Sequence, residues 1–189
     1  MRMRKLHVVV LVLIVAVSLP VYLGLLQILG NFHTVAAGKL YRSAQPSPQD
    51  LAGYAQTLGI KSVINLRGPR PGEPWYDDEV RVSKELGLYH ADAGISATQE
   101  LSAAQVDELE KALRDAPAPL LLHCKSGADR TGLAAALYVL DIQHRPVETA
   151  ARQLSWMYGH WPFWGSRTAA MDRTFEHAAS LHAEVRLDH

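Results

Sequence analysis

From Val8 to Leu29 the chain carries no charged residue, and from Lys39 onward short apolar runs alternate with amphipathic stretches at helical spacing. Leu40 to Ser43 reads as a short strand. Ser47 or Pro48 then starts a helix through Tyr54 to Leu58, which Gly59 ends. "IKSVINLRG" is a compact apolar strand closing on glycine, and "PRPGEP" is a loop. Trp75, Val80, Val82 and Leu86 fall on a helix with Gly87 as its stop. "LYHADAGIS" is a short strand running into a loop. Ser102 is the expected N-cap of a helix over "AAQVDELEKALRDA", which Pro117 and Pro119 break before the apolar strand Pro119 to Leu122. "TGLAAALYVLDIQ" reads as a buried helix. "VETAARQLSWMY" and "AMDRTFEHAASLHAEV" add two more around the aromatic "GHWPFWGS", where packing between helices is expected. Strands alternating with helices predict an α/β domain, a central and mostly parallel sheet flanked by helices.

The uncharged run changes that picture at one end. About 22 helical residues reach ~33 Å at ~1.5 Å each, enough for a bilayer core of ~30 Å. Arg2, Arg4 and Lys5 precede the run, so the basic tail is expected in the cytoplasm and the body across the membrane, in the periplasm of a bacterium. A cleaved signal peptide competes, but its apolar region is usually only ~7–15 residues, and "TVAAG" makes a poor cleavage site. The expected organisation is a basic tail over 1–5, a single-pass transmembrane anchor over 6–30, a linker over 31–37 and one domain over 38–189.

Composition narrows the function. The chain has 189 residues, 48% of them hydrophobic, so one ordinary domain can bury a core. Net charge is zero and no long basic run follows the N-terminus, which argues against nucleic acid as a partner. One cysteine excludes a disulfide framework and any multi-thiolate metal site. Nine histidines form no metal-binding frame, and no metal or cofactor is expected.

That one cysteine, Cys124, ends the most apolar strand, and a helix begins near Thr131. Between them lie Lys125, Ser126, Gly127, Ala128 and Asp129. A strand–loop–helix turn of this kind aims backbone N–H groups and the helix N-terminus at one spot, which makes an anion cradle. Gly127 permits the tight turn and Gly132 close helix packing. A free thiol titrates near ~8.5, and a helix terminus lowers that by about one unit. Loop N–H groups, Arg130 and the Thr131 hydroxyl must supply the rest. The planar fork of Arg130 suits two phosphoryl oxygens. A lone cysteine is most often a buried structural residue. Its company here points instead to phosphoryl transfer.

"HCKSGADRTG" resembles the HC-x5-R-[ST] signature of the cysteine-dependent protein tyrosine and dual-specificity phosphatases. "LYRSAQP" and "GIKSVINLRG" are similar to the bacterial dual-specificity type, over about residues 38 to 178. The resemblance implies that Cys124 attacks phosphorus, Arg130 holds the phosphoryl oxygens, Thr131 steadies the departing thiolate and residues 125–130 bind substrate. His123 and Gly132 would support the loop. It also implies a phosphocysteine intermediate, without metal. A general acid is expected upstream. Asp92 is the only carboxylate between Glu85 and Glu100 and is the first candidate. The Trp-Pro-Asp triplet of classical tyrosine phosphatases is absent. Asp129 is the rival, because an aspartate before the arginine and a lysine after the cysteine also resemble phosphoinositide-type members. Lys125 accordingly leaves two substrate classes, a phosphorylated protein or a phospholipid headgroup. Arg67 and Arg70 are candidates for the pocket rim. A phospho-binding pseudophosphatase is the rival from another class, and the presence of both Cys124 and Arg130 argues against it.

Overall fold

The structure, a computed structural model, describes residues 2–161, 163 and 165–187, without the side chains of 2–6, 8–15 and 184–187. Helix α1 (Arg2–Ile28) leads into a short edge strand, β1 (His33–Ala36). The body follows as β2 (Leu40–Ser43), α2 (Pro48–Leu58), β3 (Ser62–Asn65), α3 (Pro74–Glu85), β4 (Tyr89–Asp92), α4 (Ala103–Asp115), β5 (Leu120–His123) and α5 (Asp129–Leu137). A π turn (Tyr138–Ile142), α6 (Val147–Ala151), two 3-10 turns and α7 (Ala170–Leu187) complete it. The sheet order is β1-β2-β5-β3-β4. Only β1 runs antiparallel, so the expected mostly parallel sheet is present with one reversed edge strand.

Alternation along the central strands sorts side chains into two cores. Leu40, Ile64, Leu120 and Leu122 face the layer that holds α4, α5 and α7. Tyr41, Val63 and Leu121 face the other way, onto Leu51 of α2 and Val82 of α3. Period-two patterning thus produces a three-layer sandwich in which every residue of β5 is buried. Helix α5 is buried continuously from Thr131 to Leu137, as its unbroken apolar run predicts. Ser47 and Ser102 close capping boxes with Asp50 and Gln105, each worth about 1 kcal/mol to its helix start.

Four expectations need correction. Among the described residues no helix is long and apolar enough to cross a membrane. The transmembrane anchor over 6–30, the membrane partnership and the periplasmic placement drawn from it therefore do not stand. The end of α1 is instead docked on the body. Tyr22 Oη donates to the Met157 carbonyl at 2.6 Å, Gln27 Nε2 donates to the Ser126 carbonyl at 3.2 Å, and Leu26 is buried. Residues 33–36, inside the stretch read as a linker, form β1. The helix expected over "VETAARQLSWMY" stops at Ala151, and Trp156–Tyr158 is a 3-10 turn. In the aromatic segment, Pro162 and Trp164 lie outside the described residues, while Phe163 is exposed rather than packed between helices.

Candidate active site

β5 runs up the middle of the sheet and delivers Cys124, 2% exposed, to the carboxyl edge of the strands. The loop beyond it is held from outside by its carbonyls. Gln45 N–H donates to the Lys125 carbonyl at 3.4 Å. Asn31 Nδ2 donates to the Ser126 carbonyl at 2.8 Å, beside Gln27. Arg42 Nη2 donates to the carbonyls of Gly127 (2.8 Å) and Ala128 (3.3 Å). A peptide's C=O and N–H point in opposite directions. Four successive carbonyls drawn outward therefore turn the N–H groups of residues 126–129 inward, and that makes an anion cradle.

Glycine is required at the centre of this turn. Gly127 has φ +72°, and a Cβ there would lie 2.6 Å from the Ala44 nitrogen. Gly132 lets α5 press against the next segment, since a Cβ would meet the Gln153 carbonyl at 3.0 Å. Arg42 itself is fully buried in β2, a charge inside an apolar strand. Its Nη1 donates to the Gln153 carbonyl (2.8 Å) and to Gln153 Oε1 (3.0 Å), and its guanidinium carbon lies 3.9 Å from the Tyr158 ring centre. Burial pulls its pKa down to about 10, although Tyr158 and Cys124 oppose the shift, so it stays cationic at neutral pH.

Behind the cysteine strand sits a second missed residue, Glu79 of α3. It is 2% exposed, and its oxygens lie 2.8 Å from His90 Nε2 and 3.1 Å from His123 Nε2, with Gln45 Nε2 donating as well. Burial would raise this carboxyl, but those contacts outweigh it and hold the pKa at about 2. His123 thus faces Glu79, while its backbone carbonyl accepts from Leu66 N–H at 2.9 Å. His123 Nε2 and Glu79 are close but off line for a hydrogen bond.

Arg130 is half-buried at the start of α5, its Nη1 donating to the Leu66 carbonyl at 3.3 Å. Thr131 is buried with its hydroxyl unpaired. Lys125 is exposed on the loop, and Ser126 is half-buried. Arg67 comes to the site: it stacks on Trp75, donates to Gln45 Oε1 at 2.8 Å, and its pKa is lowered by burial and by the neighbouring Arg130 charge. Arg70 is exposed on the following loop.

Asp92 ends β4 on the same edge. Register runs from His123 to Asn65 and from Asn65 to Asp92, about 10 Å in two strand spacings. Asn65 Nδ2 (2.8 Å) and Tyr76 Oη (2.6 Å) donate to its two oxygens, and the latter bond pushes the Tyr76 pKa up to about 12. The loops after β3 and β4 touch glycine to glycine. A Cβ on Gly94 would stand 2.8 Å from the Gly68 Cα.

Asp129 is engaged elsewhere. Its Oδ1 lies 2.7 Å from His160 Nδ1, and His160 Nε2 lies 2.9 Å from Asp172 Oδ2 of α7. Burial would lower the pKa of this fully buried imidazole, but the two carboxylates raise it to about 9. Away from the loop, Glu110, Asp141 and His182 bring donor atoms within 4.8 Å of one another, but Arg114 already bonds Asp141 there. Of these functional contacts only Arg42 left a local signal, an arginine within "LYRS". Asn31, Glu79 and His160 meet the loop across long stretches of chain.

The chain is 30% identical over 105 residues to a beta-lactamase hydrolase-like protein of Xylella fastidiosa, covering 54% of this chain and 24% of that one. It is 34% identical over 116 residues to the dual specificity protein phosphatase TpbA of Pseudomonas aeruginosa, covering 61% and 49%. It thus spans half or less of the length of these curated relatives. In fold it is similar to TpbA crystallised with phosphotyrosine (TM-score 0.58, 23% identity, 80% and 91% covered). It is also similar in fold to the catalytic core of the PP-IP phosphatase SIW14 of S. cerevisiae (TM-score 0.57, 21% identity, 81% and 93% covered). Residues 23–147, from the docked end of α1 to the start of α6 and including the whole cradle, match the family model, and the chain belongs to the tyrosine phosphatase family.

Proposed function

We propose that this chain is a cysteine-dependent phosphomonoester hydrolase of the phosphotyrosine or dual-specificity type. The observation that carries the reading is the run of four loop carbonyls tied outward around Cys124, which leaves inward N–H groups to meet a phosphoryl group. Cys124 Sγ attacks phosphorus while Arg130 and the loop N–H groups take the charge that builds on the non-bridging oxygens. The bond to the leaving oxygen breaks, and Asp92 gives that oxygen a proton. Water then attacks the phosphocysteine, Asp92 takes the water's proton, and thiolate and inorganic phosphate separate. Thr131, with its buried unpaired hydroxyl, is the group to steady the departing sulfur. Asp92 is favoured over Asp129 as the acid because it ends β4 on the edge of the sheet where Cys124 emerges, whereas Asp129 contacts a buried His160 that two carboxylates hold protonated.

A phosphoinositide or other phospholipid headgroup is the second reading. Arg67 beside Arg130, together with exposed Lys125, supplies more positive charge than one phosphate needs. Hydrolysis of phosphotyrosine peptides and of phosphoinositides, measured with Cys124→Ser alongside, tests both. Equal turnover in the variant sinks the mechanism. A strong preference for the lipid substrates replaces the first substrate class by the second.

A further inference from the structure

At the end of the sheet opposite the loop there is a cavity of ≈ 560 Å³, within the range of small-molecule sites. Lys39, which precedes β2, forms one wall, and Arg145, which follows the π turn, forms another. Gln143, Thr149 and Gln153 supply neutral polar groups, and Val139 and Ile142 an apolar surface. No carboxylate lines the cavity. Neither cation is in an ion pair among the described residues. Two exposed cations without a carboxylate partner, beside apolar Val139 and Ile142, suit a small organic anion, an acid group carrying a carbon body.

One lining residue reaches back to the loop. Gln153 accepts from Arg42 through both its backbone carbonyl and its side-chain oxygen, and the same guanidinium holds the carbonyls of Gly127 and Ala128. An occupant that draws on the Gln153 amide alters what Arg42 leans on, two hydrogen bonds from the cradle. A ligand shifts such an arrangement only by its differential contact with it, and Gln153 is where that contact is made.

We propose that the cavity between Lys39 and Arg145 binds a small organic anion and that occupancy is felt at loop 124–128 through Gln153 and Arg42. The binding half stands on its own; the effect on turnover rests on the phosphatase reading. Calorimetric titration with 1-naphthoate tests the first half. Stoichiometric binding should persist in Arg130→Ala, where the loop site is disabled, and weaken at least tenfold when Lys39→Glu and Arg145→Glu are added. The milder pair Lys39→Gln and Arg145→Gln, with melting followed by circular dichroism, separates lost binding from lost folding. Binding that vanishes with Arg130→Ala alone, or survives charge reversal, overturns the site. For the second half, 1-naphthoate should change kcat for p-nitrophenyl phosphate about threefold or more in the wild type and leave the charge-reversed protein unaffected. Simple competition at the loop would raise KM alone. Unchanged kcat with binding intact overturns the coupling. Absence of turnover in every protein would count against the phosphatase reading, while the calorimetric result still decides the site.

Discussion

Replacing Arg42 by methionine isolates what holds the cradle open. The side chain is fully buried, and its four hydrogen bonds end on Gln153 (twice), Gly127 and Ala128. Arg42→Met leaves three backbone carbonyls without their donor, at ~1–2 kcal/mol each, and removes a stacking contact on Tyr158 of about 1 kcal/mol. Against this stands the cost of burying the charge. The drop from 12.5 to about 10 corresponds to about 3 kcal/mol. Net destabilisation is therefore expected at about 1–4 kcal/mol, enough to lower Tm and still leave a folded protein. Activity should suffer more. Carbonyls 127 and 128 released from Arg42 let the N–H groups of Ala128 and Asp129 swing out of the cradle. Loss of one preorganised donor typically costs ~10²–10³ in kcat. Arg42→Lys keeps a charge but cannot fork between Gly127 and Gln153, so it should show most of the activity loss with less loss of stability. The assay is kcat/KM on p-nitrophenyl phosphate well below the melting midpoint, with Tm from circular dichroism. A folded Arg42→Met protein within about threefold of wild-type kcat/KM would refute the argument that outward carbonyls set the cradle.

Three further outcomes follow from the same geometry. Gly127→Ala places a Cβ 2.6 Å from the Ala44 nitrogen at φ +72°, so turnover should fall at least ~10²-fold, whereas Gly53→Ala, with open space around it, should be neutral or stabilising by up to ~1 kcal/mol; equal effects would rule out backbone strain as the cause. His160 has its folded pKa raised to about 9 from 6.5, so its stabilisation, up to about 3 kcal/mol, is complete below pH ~6.5 and fades as pH rises through ~9. Tm should decline between pH 7 and 10 in the wild type and much less in His160→Gln, and parallel profiles would count against a charged imidazole. Asp92→Asn should slow phenyl phosphate turnover ~10²-fold or more and p-nitrophenyl phosphate less, because a good leaving group needs less protonation; if only Asp129→Asn shows that pattern, the acid is misassigned.

Much of this was legible along the chain because its physical causes are local. The unbroken apolar run that ends in "LLLH" and the compact "SVIN" marked strands buried on both faces, and Ser47 and Ser102 marked their helix starts by local capping. Cys124, Gly127, Arg130 and Thr131 lie in one segment, so their spacing alone predicts a strand, a cradle and a buried helix. Hydropathy failed at α1 because an uncharged run reads the same against lipid as against protein. The contacts of Tyr22, Leu26 and Gln27 with the body are invisible to it.

What folding alone decided is who holds the loop. Asn31, Arg42, Glu79 and His160 come from four separate elements, and each acts by closing a hydrogen bond or ion pair over 31 to 95 residues of chain. Composition and periodicity register burial, which is additive along a sequence. They do not register the pairing of one donor with one distant acceptor, which exists only once the sheet order β2-β5-β3 has brought those strands together. The sequence determined that an anion-binding turn would form after β5. Tertiary packing decided that its carbonyls face outward, its aspartate is tied to His160, and its second carboxylate stands two strands away on β4.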